Sequence, residues 1–177
     1  YSPSELLEYS ELAEQAGYDF IWTSDHFHPW FHTDAEAGFA WSWLGAASQR
    51  VDIPIGTYVT PSAGHYHPGR IAQAFATIGE MHNDRVVLGL STGEAMNEKP
   101  LGEPWNDYPV RRDRLEETLE ITGQLYESDE FVSYDGEHFP LDDANLYTMP
   151  EKRPAIHVAA NGPSTARLAA EHADGFM

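Results

Sequence analysis

Directly behind a short apolar run the chain reads Ser24-Asp25-His26-Phe27-His28-Pro29-Trp30, an acid, two histidines and an indole in one segment. Histidine is the side chain best suited to moving protons near neutral pH. The adjacent aspartate can bind a cofactor hydroxyl, and the indole offers a flat face to a ring or sugar. Three chemistries are open for this segment. Asp25 can cap backbone amides in a loop whose aromatics only pack. Asp25 and His26 can form an acid–base site. His26 and His28 have the His-x-His spacing that some barrel hydrolases use for a metal pair. A metal centre needs about three or four ligands. The later histidines His65, His67 and His157 supply no second ligand-like pair at a strand end, and His157, inside a strand, is expected to face the helices. No metal is assigned.

Two more segments carry chemistry. In Ser91-Thr92-Gly93-Glu94-Ala95-Met96-Asn97-Glu98, Gly93 lets the backbone approach a ligand, and Glu94 can exchange a proton there. A helix N-cap at Thr92 or Asn97 is the plainer reading and is compatible with the first. Asn161-Gly162-Pro163-Ser164-Thr165 turns a strand into a helix, whose free amides suit phosphate. Taken alone that turn is a weak signal.

The elements that must position these residues follow from periodicity. Ser2-Pro3-Ser4-Glu5 is a capping box with proline at the first helical position, and the helix it opens ends at Gly17. Strands are expected at Phe20–Ser24, Ile53–Thr60, Val86–Leu90 and Ile156–Ala160, with a fifth starting at Gly175. Helices are expected over about Trp43–Arg50, Pro68–His82, Val110–Glu127 and Ser164–His172. Phe131–Tyr134 and His138–Leu141, around Asp135-Gly136, read as a small hairpin. Starts at Phe20, Ile53 and Val86 lie 33 residues apart, as βα units require.

Strict alternation leaves an open doubly wound sheet or a barrel. The first βα turn lacks the G-x-G-x-x-G pattern, which weakens a dinucleotide-binding sheet. Asp25-His26, Thr60-Pro61, Thr92-Gly93-Glu94 and Asn161-Gly162 each fall just past the C-terminal end of a different strand. In barrels that face carries the chemistry. The expected fold class is therefore α/β, a (β/α)8 TIM barrel. Residues 1–177 are expected to form one partial-barrel domain, lacking the first strand and the C-terminal strands. Open strand edges would keep such a piece from folding alone as a soluble monomer.

Charge narrows the partners. Ten Lys and Arg stand against 29 Asp and Glu, a formal charge of −19, and the lysines are Lys99 and Lys152 alone. That field repels nucleic acid and anionic membranes, so neither is expected as a partner. A carboxylate-rich, lysine-poor surface also suits molar salt, where self-repulsion is screened, and we expect a halophilic protein. No apolar run approaches the length of a membrane span and no signal-peptide pattern is visible. With no cysteine, a cytoplasmic location is expected.

Three motifs together carry a resemblance over the whole chain. Ser24-Asp25-His26-Phe27 through Trp30, Gln73-Ala74-Phe75-Ala76-Thr77 with its flanks, and Thr92-Gly93-Glu94-Ala95-Met96-Asn97-Glu98 are similar to the luciferase-like monooxygenase superfamily. Within it they resemble the branch typified by coenzyme F420-dependent glucose-6-phosphate dehydrogenase. The resemblance implies a barrel, a homodimer, a deazaflavin (F420) in the barrel mouth and a small-molecule substrate. It implies that His26 is the base on the substrate hydroxyl, that Trp30 stabilises the transition state, and that Glu94 exchanges a proton with the deazaflavin ring. It makes Asp25, Thr92, Gly93 and Asn97 cofactor contacts. A non-proline cis peptide at Tyr58-Val59 is implied as a backstop to the ring, bringing in Val59.

The chain departs from that pattern in two places. After Thr60 it reads Pro61-Ser62-Ala63-Gly64, so the contact there is Thr60 or Pro61. Asn161 stands where the sugar-phosphate enzyme has glycine, which weakens phosphate binding by the turn holding Gly162, Ser164 and Thr165. The expected function is hydride transfer between the deazaflavin and an alcohol or sugar-type substrate, a sugar phosphate among the candidates. An FMN-dependent monooxygenase and a metal-dependent barrel hydrolase are the alternatives.

Overall fold

A computed structural model of the chain describes residues 1–177 apart from positions 63 and 65. His65, weighed above as a spare ligand, and Ala63 lie outside the described residues. Helix α1 (Pro3–Gln15) opens with the expected capping box: Glu5 N–H donates to Ser2 Oγ, and the Glu5 carboxylate accepts from Ser2 N–H at 2.7 Å. Strand β1 (Ile21–Thr23) leads through a long loop to α2 (Ala40–Ala47), which starts and ends three residues earlier than expected. The single strand expected over 53–60 is broken into β2 (Ile55–Thr57) and β3 (Thr60–Pro61), with the cis Tyr58-Val59 peptide between them. Its position is the one the resemblance implied.

Helix α3 (Pro68–Met81), strand β4 (Val86–Ser91), a short helix α4 (Ala95–Glu98) and a 3₁₀ turn (Lys99–Leu101) follow. Periodicity cannot reveal α4, which is barely one turn long. Its N-cap is Glu94, without a side-chain cap bond, so the cap expected at Thr92 or Asn97 is not the one formed. Helix α5 (Tyr108–Glu127) precedes a hairpin of β5 (Val132–Tyr134) and β6 (Leu141–Ala144). The hairpin is as expected, but its second strand starts later, because 137–139 is spent on α5. There the Glu117 carboxylate accepts from the N–H groups of Glu137, His138 and Phe139. Strand β7 (Ala155–Val158), helix α6 (Pro163–His172) and strand β8 (Gly175–Phe176) complete the described elements.

The main sheet is parallel throughout, in the order β1-β2-β4-β7-β8, with β3 pairing β4 and the hairpin forming a separate sheet. Strands succeed one another in chain order with no switch point, as a barrel arc requires and a doubly wound sheet does not. Ile55, Leu88, Leu90, Ile156 and Val158 are buried in one core with Leu44, Ile71, Phe75, Leu115, Leu119 and Leu168 of the helices. His157 corrects the sequence reading. Its buried neighbours Ile156 and Val158 take the helix side, while its ring lies 6.3 Å from that of Trp22 on β1. It faces across the sheet, and Gly175 beside it leaves the room, since a Cβ there would come within 3.0 Å of the imidazole.

Candidate active site

The C-terminal ends of the parallel strands surround a cavity of about 390 Å³. The loop after β1 contributes Ser24, His26 and Trp30, and the β2–β3 bend contributes Tyr58, Val59 and Pro61. From β4 and the turn behind it come Ser91, Thr92, Gly93, Glu94 and Asn97. Ala159, Asn161 and Met177 close the far wall. Chain order alone makes this face continuous, because every strand points the same way.

Asn97 joins the loops that meet at the cavity. Its Oδ1 accepts from Phe27 N–H at 3.0 Å, tying α4 to the loop after β1. The same amide meets His26 Nδ1 with Nδ2 at 3.2 Å and Oδ1 at 3.4 Å. It therefore offers Nδ1 a donor or an acceptor, whichever the ring tautomer requires. Asn97 is 2% exposed and lies at the edge of the cavity, so its orientation is fixed by packing. Glu94 Oε2 stands 3.9 Å from the same ring nitrogen, with its side chain about half exposed. Trp30 meets the His26 ring edge-on at 5.7 Å and leaves much of its indole open. Gly93, at φ +80°, brings bare backbone to the cavity where a side chain would be strained.

Behind the cavity wall sits Asp25, 5% exposed. Thr60 Oγ1–H donates to its Oδ2 at 2.9 Å and accepts from Trp41 Nε1–H at 3.3 Å, with Tyr66 beside the carboxyl. Burial outweighs these bonds and pushes the Asp25 carboxyl up to about 6. Burial, with Asp25 beside it, likewise holds the Tyr66 hydroxyl well above the usual phenol range. Another carboxyl, Glu98 on α4, is 1% exposed. Burial raises its pKa against the pull of backbone N–H groups at 98 and 94 and of Arg111, and the Glu94 charge adds slightly to the rise.

Of the residues singled out in the sequence, the structure brings His26, Trp30, Glu94, Val59, Pro61, Thr92, Gly93, Asn97 and Asn161 to one cavity. Asp25, Thr60, Gly162, Ser164 and Thr165 do not line it. Thr60 is fully buried and spends its hydroxyl on Asp25; Thr165 is buried and shares a hydrogen bond of 2.8 Å with the Tyr108 hydroxyl. Sequence reasoning missed Ala159 and Met177 as wall residues. Their positions at strand ends were the available signal. His28 stacks on Phe27 and meets His32 edge-on.

Comparison with known proteins follows the same lines. The family model described as luciferase-like monooxygenase matches residues 1–177. F420-dependent glucose-6-phosphate dehydrogenases of Microbacterium testaceum and Beutenbergia cavernae are 43% and 44% identical over the whole chain. The chain spans about half the length of these relatives, 53% of each. An F420-dependent secondary alcohol dehydrogenase, solved in complex with an F420-acetone adduct, superposes with a TM-score of 0.97 at 40% identity, over all of this chain and 54% of that one. The coenzyme F420-dependent tetrahydromethanopterin reductase from Methanopyrus kandleri shares the fold, with a TM-score of 0.84 at 20% identity, over 99% of this chain and 52% of that one.

Proposed function

The chain belongs to the luciferase-like monooxygenase family, and on that premise we propose that it works as a coenzyme F420-dependent oxidoreductase. The substrate class is an alcohol or a sugar-type hydroxyl compound, sugar phosphates included. The observation that carries the reading is the meeting of His26 and Glu94 around Asn97 in one cavity at the strand ends. Relatives at about 40% identity that are named for F420 support the deazaflavin over FMN.

The residues present fit a flat deazaflavin ring. The cavity lies in the size range of small-molecule sites, and its walls mix backbone and small side chains at Val59, Pro61, Thr92, Gly93 and Asn161. These residues would hold the ring. When bound, the deazaflavin supplies a two-electron hydride acceptor or donor. His26 contacts the described protein through Nδ1, which leaves Nε2 to take the hydroxyl proton. For that, Nδ1 must keep its own proton, and Asn97 Oδ1 at 3.4 Å is the acceptor that would hold this tautomer. Trp30 orients that imidazole with its edge, and Glu94 holds or releases a proton at Oε2 on the other side of His26. Asp25 and Thr60 support the site from behind and make no contact with the cavity.

Finer features belong to the same reading. A charge of −19 with two lysines supports a protein adapted to molar salt. Among the described residues no helix is long and apolar enough to cross a membrane; a cytoplasmic location is part of the proposal. The family resemblance supports a homodimer, measurable as sedimentation mass. Melting curves check the salt adaptation: Tm should rise between low salt and molar KCl, and an unchanged Tm removes it. For the activity, the test is bleaching of oxidised F420 by secondary alcohols and by glucose 6-phosphate. No bleaching with any hydroxyl substrate, from a protein that binds the cofactor, would reject hydride transfer from alcohols.

A further inference from the structure

The turn that carries Glu94 receives outside support from one side chain. Arg111, at the start of α5, donates from Nη1 to the Thr92 carbonyl at 3.2 Å and to Thr92 Oγ1 at 3.4 Å. Its Nε donates to the Asn106 carbonyl at 3.1 Å, and its guanidinium lies 4.0 Å over the Trp105 ring. The fork is therefore fixed in plane and direction before it reaches Thr92. The Thr92 carbonyl directly precedes Gly93, where φ is +80°. A freed glycine at that point would let Glu94 swing.

One turn back on the same helix, the Tyr108 hydroxyl shares a 2.8 Å hydrogen bond with Thr165 in the first turn of α6. The Tyr108 ring also lies 5.8 Å from the Arg111 guanidinium. One helical turn thus touches the segments that follow two different barrel strands, β4 and β7. Arg111 also adds a positive charge there. The buried Glu98 carboxyl feels Glu94 on its own helix as a repulsion and Arg111 from α5 as an attraction.

We propose that the first turn of α5 is a bracket that holds the Glu94 turn and the α6 turn in register, which makes Arg111 a positioning residue for the proton-handling carboxylate. The inference rests on the reading of Glu94 as that carboxylate. Its structural half, restraint of residues 92–98 by Arg111, stands independently of any cofactor.

The test uses the full-length protein as wild type, Arg111→Gln, Arg111→Lys and Tyr108→Phe. Hydrogen exchange is followed without ligand; F420 affinity and turnover are measured separately. In Arg111→Gln, exchange over 92–98 is expected to rise roughly tenfold or more while β4 and the second half of α5 keep their protection. Turnover should fall roughly tenfold or more, with a much smaller change in F420 affinity. Arg111→Lys keeps the charge beside Glu98 and so keeps the fold, but an ammonium lacks the fork and should not restore turnover. Tyr108→Phe should loosen the first turn of α6 and leave 92–98 protected. Unchanged exchange over 92–98 in Arg111→Gln would overturn the bracket, as would protection lost evenly along the chain or full turnover in Arg111→Lys. If the wild-type protein takes up no F420, the functional reading falls, and the exchange measurement still decides whether Arg111 restrains the turn.

Discussion

Replacing Asp25 by asparagine removes a charge from a place that resists it. The carboxyl is 5% exposed, and burial raises its pKa from 3.8 to about 6 against the pull of Thr60, Trp41, His26 and Tyr66. A rise of about two units corresponds to about 3 kcal/mol of preference for the neutral form. Because the folded value is the higher one, the folded protein binds the proton more tightly than the unfolded chain. The resulting stabilisation is complete below about pH 4 and is lost as pH rises through about 6. Asparagine is neutral at every pH and keeps an oxygen for the Thr60 hydroxyl. Urea denaturation of both full-length proteins from about pH 4 to about pH 7.5 measures the difference. Relative to wild type, Asp25→Asn should gain up to about 3 kcal/mol across that range, whatever its offset at the acid end. A difference that stays constant with pH, or that moves against the variant as pH rises, refutes the reasoning. Turnover should move the other way, because ionised Asp25 attracts a protonated His26 beside it.

His26→Ala and Glu94→Gln should each lower turnover by roughly a hundredfold or more while F420 affinity changes far less, as separate titrations and kinetics would show; near-normal turnover in the His26 variant removes it as the base. Gly56→Ala places a Cβ 2.5 Å from the Val87 carbonyl oxygen and 2.9 Å from the Trp22 ring. That overpacking should cost about 1–3 kcal/mol in urea denaturation, and an unchanged midpoint would show that the strands yield. Glu117→Ala strips the hairpin of a carboxylate that accepts from three backbone N–H groups. Faster hydrogen exchange confined to 132–144 is expected, with turnover unchanged; slower turnover would tie the hairpin to the site.

Much of this was legible because the physics is local. Ser2 and Glu5 cap α1 through their own side chains, and β-branched runs at fixed spacing give parallel strands. Strand direction then gathers His26, Glu94 and Asn161 on one face without any knowledge of contacts. What periodicity could not reach depends on the third dimension. Asp25 and Thr60 look like cavity residues in the sequence, yet they bond each other behind the wall. Thr165 sits in a turn suited to phosphate, yet Tyr108, 57 positions away, takes its hydroxyl. The alternation of β7 allowed either side for His157; the space left by Gly175 favours the side facing Trp22. Arg111 carries no motif, and its part emerges only from where its fork lands.

The cofactor decides the central claim. Equilibrating the full-length protein with F420, FMN and Zn²⁺ in molar salt, then removing free ligand, shows which is retained. F420 should remain, at one per chain, with FMN and zinc washed away. Retention of FMN without F420 would contradict the account, and stoichiometric zinc with activity lost to a chelator would replace it with a metal hydrolase.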